Sequence, residues 1–200
     1  MPHRTDGTYH HGDLAAACVT AALALLEEGV PSSGLSIRAV ARRAGVTPAA
    51  PYRHYADRDA LLSAVATVGY RELAEDLFSA NAKPSSPEDI ADVAVAYVKF
   101  AARRPALFRV MFGPCDVENA ERVAAADIIS AYLADVVGRL FPKADSGPLA
   151  MAAWALVHGL AVLHIDGKLD TSTQGAISAT VRSTVLAAFA PAATSARDCS

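Results

Sequence analysis

SIRAVARRAGVTPAAPYRHY, residues Ser36–Tyr55, holds two short helical patterns around a tight turn. In its first half Ile37, Val40, Ala41 and Ala44 recur at i, i+3, i+4 and i+7, which is one apolar helix face. Ser36 stands just ahead of that face, where its hydroxyl can cap free backbone N–H groups. Gly45 follows it, where a helix end calls for left-handed backbone. Thr47-Pro48 then restarts a helix, the threonine as N-cap and the proline at the first helical position, where a missing N–H costs nothing. Helix, glycine turn, helix is the sequence form of a helix-turn-helix.

Upstream, Leu14, Cys18, Ala21, Ala22 and Leu25 form the stripe of a helix over about 12–28, with Asp13 at its start and Gly29 at its end. That stripe is expected to pack on the two-helix unit, giving a three-helix domain over residues 1–57. Residues 1–9 lack periodicity and read as a mobile arm. Downstream, Asp57 caps a long helix to about Asn81 that carries Leu61, Leu62, Val65, Val68, Gly69, Leu73 and Leu77. It spans on the order of 35 Å, enough to connect to a second domain over 82–200. That domain opens with the linker AKPSSP and a strong helix start, Ser86-Pro87-Glu88-Asp89. Further helices are expected from Pro105 to Phe112, from about Val117 to Leu140, from Pro148 to Lys168, and from Thr171 to Phe189, where Pro191 ends the last. No sustained period-2 alternation interrupts them, so the fold class is all-α with about nine helices.

Composition narrows the function. The chain has 200 residues and is 52% apolar but only 6% aromatic, with a net charge of −3. Residues 36–58 run against that balance: Arg38, Arg42, Arg43, Arg53 and Arg58 face only Asp57, a local charge of +4. A basic patch on an acidic protein suits a site-specific DNA reader better than a coat for nucleic acid. Cys18, Cys115 and Cys199 are odd in number and widely spaced, which suggests neither a disulfide framework nor a zinc site. His3, His10 and His11 do not make a metal site either, because adjacent histidines cannot share one helix face. The longest apolar run, Leu149–Leu163, is shorter than a membrane span and reads as a buried helix; with no signal-peptide pattern, a cytoplasmic protein is expected.

A major groove admits one helix, and side chains near that helix's N-terminus read the base edges. Here these are Thr47, Pro48, Ala49, Ala50, Tyr52 and Arg53, followed by His54 and Tyr55. Arg53 alone can pair bidentately with guanine. The two alanines allow close backbone approach or contact with a thymine methyl. Tyr52, His54 and Thr47 suit phosphates, and Arg38, Arg42 and Arg58 would flank the groove.

The residues Ala41, Ala44-Gly45-Val46-Thr47, Tyr52, His54-Tyr55, Arg58-Asp59 and Leu61-Leu62 resemble the signature of the TetR family of transcriptional regulators, over about residues 12–66. Ala49 and Pro51 depart from that pattern, which commonly has glycine and an aliphatic residue there. Pro51 removes the helical N–H that would bond the Thr47 carbonyl. Further on, Trp154, His158 and Gly159 resemble the ligand-binding half of a TetR subfamily marked by a Trp…His-Gly helix. The resemblance implies homodimers built by the last two long helices, with Ala152, Leu156, Leu160 and Leu163 of one and Val181, Val185 and Phe189 of the other at the interface. A helix apolar all round also calls for a partner to cover it, and small residues such as Ala150, Ala153 and Ala161 would let one approach. Two-fold symmetry sets reading elements about 34–36 Å apart on a palindromic operator. An effector pocket is implied too. Tyr97, Phe108, Met111, Phe112, Tyr132 and Trp154 are candidate lining residues, with His158 as the polar contact, for a small, apolar effector of unknown identity.

The function expected is a homodimeric repressor released from DNA by that effector, without cofactor or catalysis. An activator, or a repressor without effector, shares the same sequence features. The alternative from another class is an all-α enzyme or small-molecule carrier. Against an enzyme, there is no Ser/His/Asp set, no paired carboxylates at bundle-site spacing and no phosphate loop.

Overall fold

A computed structural model describes the backbone of residues 11–114 and 119–197, with side chains over 14–114 and 119–189. Eight α-helices follow in chain order: α1 (His11–Glu27), α2 (Ile37–Arg43), α3 (Arg58–Ala80), α4 (Pro87–Arg103), α5 (Pro105–Phe112), α6 (Ala120–Leu140), α7 (Ser146–Ile165) and α8 (Gln174–Arg197). Two 3₁₀ turns, Ser32–Gly34 and Ala50–Arg53, complete the elements. Among the described residues there is no strand, so the fold is all-α as expected. The arm, Cys115, Cys199 and the expected helix start at Val117 lie outside the described residues.

The end signals act as the sequence indicates. Ser36 Oγ accepts from the Ala39 amide at 3.2 Å, and Asp57 Oδ1 accepts from Ala60 at 2.8 Å. Ser86 and Asp89 form a reciprocal capping box at the start of α4. At the end of α2, the amides of Gly45 and Val46 donate to the carbonyls of Arg42 and Ala41 at 3.2 and 3.0 Å. Gly45 has φ +71°, and a Cβ there would meet no neighbour, so backbone conformation alone requires the glycine.

The second half of the helix-turn-helix departs from expectation. In place of an α-helix from Pro48, the chain turns through Pro48 and Ala49 and forms a 3₁₀ segment at Ala50–Arg53. Pro51 is the cause. It has no N–H for the Thr47 carbonyl, which accepts from the Ala50 amide at 3.0 Å instead and tightens the turn. Pro51 itself is buried.

α3 is the spine, packed by α1, α4, α5 and α6. Its buried residues, among them Leu61, Val65, Gly69, Tyr70, Leu73 and Leu77, therefore lie on more than one face. Gly69 lets α5 approach so closely that a Cβ would lie 2.6 Å from Met111 Sδ. The Tyr70 hydroxyl donates to the Met111 carbonyl at 2.7 Å, and Arg122 Nη2 donates to the same oxygen at 3.0 Å. The end of α5 is thus held by both α3 and α6. α4 packs on α7 and α8, and one apolar core runs from Leu14 to Phe189.

Two expectations about the last helices change. α7 is apolar but not buried all round: Ala153, Leu160, Ala161 and His164 face inward, while Met151, Ala152, Trp154, Val162 and Leu163 stay exposed. By length and composition α7 could cross a membrane, but its inner face is already taken by α4 and α6. His164, although near the helix end, is buried because it faces inward, and its Nδ1–H donates to the Leu160 carbonyl at 2.7 Å. α8 continues past Pro191 to Arg197. Alanines flank the proline on both sides and favour helix strongly enough to carry the backbone through one missing hydrogen bond.

Candidate nucleic-acid interface and ligand cavity

The turn and 3₁₀ segment present a compact exposed set. Thr47, Pro48, Ala49, Tyr52, Arg53 and His54 are all exposed, Tyr52 at 53%, and Ala50 is half-buried. Arg38 and Arg42 are exposed on the neighbouring α2. No acidic partner engages Arg38, Arg42 or Arg53 among the described residues. The other two arginines of the basic stretch are internally engaged. Arg43 pairs with Glu28 at 2.9 Å. Arg58 donates from Nε to the Leu35 carbonyl at 2.8 Å and from Nη2 to the Ser32 carbonyl, and also contacts Asp59. Its role is to hold the loop before α2 against the start of α3, a correction to its expected place beside the groove.

Tyr55 is also corrected. It is buried, and its hydroxyl donates to the Ala15 carbonyl at 3.0 Å, fastening α1 to the end of the 3₁₀ segment. Burial pushes its phenol up to about 12. The sequence pattern could not separate Tyr52 from Tyr55. The 3₁₀ turn does, by rotating one outward and the other into the core.

Ion pairs join this region to the rest of the molecule. Arg104, at the junction of α4 and α5, reaches Glu27 on α1 at 2.8 Å and Glu72 on α3 at 2.6 Å. Its side chain is only 20% exposed, so solvent screens these pairs less than an open surface pair. Arg103 adds a contact with Asp76 at 2.7 Å. A cleft of about 780 Å³ opens beside Arg104, between the end of α1 and the start of α5. Its arginines are already matched by Glu27, Asp76 and Asp166, so it reads as a junction between helices.

A cavity of about 420 Å³ lies between α3, α4, α6 and α7. Of the expected lining residues, Tyr97, Phe112 and Trp154 face it. Tyr132 faces a smaller adjoining chamber of about 70 Å³, and its hydroxyl donates to the Asn81 carbonyl at 2.6 Å. Phe108 and Met111 do not line either space. They are fully buried in the wall behind, a correction whose reason is that α5 turns them toward α3 and α4. His158 also stands behind the lining. It is ringed by Phe108 at 5.3 Å, Phe112 at 4.6 Å and Trp154 at 5.5 Å between ring centroids, and its Nδ1 lies 3.0 Å from the Tyr97 hydroxyl. Burial lowers the His158 pKa, which favours the neutral imidazole. Sequence reasoning missed Tyr70, Ile129, Leu133 and Met151. The i, i+4 spacing of Ile129 and Leu133 on α6 was the available signal.

The expected dimer residues divide. Ala152 and Leu163 are exposed and Leu156 is half-buried, whereas Leu160, Val181, Val185 and Phe189 are buried within the protomer. Val181, Val185 and Phe189 lie on the face of α8 that packs on its own chain, chiefly on α4. The residues of α7 left open include Met151, Val162 and Leu163, at 59%, 38% and 43% exposure.

Comparison with known proteins follows this geometry. Residues 19–65 match the family model "Bacterial regulatory proteins, tetR family", and residues 90–188 match "Tetracyclin repressor-like, C-terminal domain". An HTH-type transcriptional regulator of Mycobacterium tuberculosis is 33% identical over 92 residues, which is 44% of this chain and 38% of that protein. The match thus spans less than half the length of that curated relative. A solved structure of a Rhodococcus sp. RHA1 protein of unknown function superposes with a TM-score of 0.72 at 32% identity, covering 90% of this chain and 97% of that one. The transcriptional regulator FadR of Bacillus subtilis, solved with stearoyl-CoA, shares the fold with a TM-score of 0.63 at 14% identity, over 85% of this chain and 96% of that one.

Proposed function

We propose that this chain, which belongs to the tetR family of bacterial regulatory proteins, is a cytoplasmic, non-enzymatic repressor that binds a palindromic operator as a homodimer and is released by a small molecule. The observation that carries the reading is the exposed set Thr47–Ala49, Tyr52–His54, beside Arg38 and Arg42, which pair with no acidic side chain among the described residues. Arg53 reads guanine, Tyr52 and His54 position on phosphates, and Arg38 and Arg42 neutralise the backbone. Residues 1–57 form the DNA-reading part, the helix to Asn81 connects, and residues 82–200 bind effector and partner.

The second copy covers the open face of α7, around Ala152, Val162 and Leu163, together with the exposed small residues Ala179, Ser183 and Ala187 of α8. The effector enters the cavity between α3, α4, α6 and α7. It displaces α5, whose end is tied to α3 through Tyr70 and whose start is tied to α1 through Arg104. Motion of α5 therefore reaches α1 and the reading segment. The ligand must bind the displaced arrangement better than the DNA-competent one.

Selection of duplexes from a random pool tests this reading. A palindrome should be enriched. Arg53→Ala should weaken binding to it by about 1–3 kcal/mol per half-site and relax the preference at one base position, with dimerisation unchanged. Failure to enrich any palindrome at low or high salt would refute it.

A further inference from the structure

The effector cavity is walled mostly by aromatic and aliphatic side chains, with Ser130 as a small polar exception. Tyr70, Tyr97, Phe112 and Trp154 supply four rings, and α6 adds Ile129 and Leu133. Among the described residues no Asp, Glu, Lys, Arg or His lines it, and none lines the adjoining chamber. A charged group entering would lose its hydration without gaining a counter-ion, so charge is selected against. The rings stand at inclined angles: Tyr70 and Phe112 at 81° with centroids 5.5 Å apart, Phe112 and Trp154 at 41° and 6.4 Å. Faces and edges are therefore both offered, which suits a flat π-system better than an alkyl chain.

Besides the Ser130 hydroxyl of α6, the wall carries a polar group at Tyr97, backed by His158 from behind the lining. The Tyr97 oxygen is 3.0 Å from His158 Nδ1, and the imidazole is fixed by the rings of Phe108 and Phe112. A neutral imidazole has two tautomers. With Nδ1 as acceptor, the Tyr97 O–H donates to it, and beside the Trp154 contact the phenolic oxygen keeps accepting capacity for one ligand donor. With Nδ1–H donating, the Tyr97 O–H is free for a ligand acceptor. The pair can thus read one donor or one acceptor.

We propose that the effector is an uncharged, planar aromatic molecule with a single hydroxyl or carbonyl read by the Tyr97–His158 pair, and that anionic ligands are excluded. The proposal rests on the reading of this cavity as the effector site. It separates the chain from its fold relative solved with stearoyl-CoA, whose ligand is long and anionic.

Isothermal calorimetry on the full chain near neutral pH tests it with four probes: 2-naphthol, naphthalene, 2-naphthoate and stearoyl-CoA. The expected result is binding of 2-naphthol, with 2-naphthoate and stearoyl-CoA at least tenfold weaker. Naphthalene should bind about tenfold more weakly than 2-naphthol, the worth of one hydrogen bond. Tyr97→Phe should erase the preference for 2-naphthol over naphthalene while leaving naphthalene binding in place, which a merely unfolded variant would not do. Trp154 is the only tryptophan of the chain, so quenching of its fluorescence on adding naphthalene locates the probe. Equal binding of 2-naphthoate or stearoyl-CoA would overturn the ligand class and leave the cavity as effector site. No binding by any of the four would overturn both. Binding unaffected by both Tyr97→Phe and Trp154→Leu would place the probe elsewhere and also overturn the proposal.

Discussion

Replacing Gly69 with alanine should destabilise the protein, against the ordinary preference of helices. In an open helix this change gains about 1 kcal/mol. Gly69 lies within α3, where a Cβ would sit 2.6 Å from Met111 Sδ, 2.8 Å from Met111 Cγ and 3.1 Å from Leu107 Cδ1. Comfortable carbon contacts need about 3.5–4.0 Å, so the Met111 side chain, or α5 with it, must shift by roughly 1 Å. It is poorly placed to do so. Met111 is fully buried, and its carbonyl is held by Tyr70 and Arg122. Overpacking of this kind costs about 1–3 kcal/mol, which leaves a net loss of up to about 2 kcal/mol after the helix gain. The assay is urea unfolding followed by far-UV circular dichroism at one protomer concentration. In a Met111→Ala background the two closest contacts are gone and only Leu107 Cδ1 at 3.1 Å remains, so the same change should be less costly than in the wild type and recover part of the helix gain of about 1 kcal/mol. The reasoning fails if Gly69→Ala raises the wild-type midpoint, or if the double-mutant cycle shows no coupling. Because α5 also carries Phe112 into the cavity wall, the single variant should bind effector more weakly.

Other consequences can be checked more briefly. Tyr55→Phe should cost about 1 kcal/mol of stability through loss of the bond to Ala15, while Tyr52→Phe should leave stability unchanged and weaken duplex binding; thermal melts and gel shifts separate the two. Leu163→Asp should dissociate the homodimer without unfolding the protomer, because Leu163 is exposed on α7; sedimentation velocity would show it, and an unchanged dimer would remove this face from the interface. Burial lowers the folded-state pKa of His158 below its ordinary 6.5, so the unfolded chain binds the proton first as pH falls. The stability from keeping this group neutral is present above about pH 6.5 and declines as pH falls through that value. His158→Gln should flatten that part of the pH profile relative to wild type.

Much of the fold was legible because helix ends carry local chemistry. Ser36, Asp57 and Ser86 cap helices through hydrogen bonds that span only three residues, and Gly45 follows from one backbone angle. Exposure in the candidate site was legible where it follows from position in a short motif, as for Thr47, Tyr52 and Arg53. It was not legible where distant partners decide orientation. Tyr55 turns inward for a carbonyl 40 residues away, and Arg58 for carbonyls 23 and 26 residues away. The α7–α8 face was half legible for the same reason. An apolar stripe states that a residue wants cover, and Val181 and Val185 find theirs within the same chain. Pro51 was visible in the sequence as a missing donor, but only the fold shows the outcome, a tightened turn.

The inward positions of Tyr55 and Arg58 bear on how a genetic screen for lost repression would sort its alleles. If the chain pairs and reads DNA as proposed, substitutions at Arg53 should leave the protomer folded and able to pair, so each defective subunit should disable a wild-type partner and the allele should be dominant in a merodiploid. Substitutions at Tyr55 or Arg58 loosen the seat of α1 or of the loop before α2, deplete folded protomers and behave as recessive alleles. Two neighbouring codons on either side of the same turn would then fall into opposite dominance classes, although both score as loss of DNA binding.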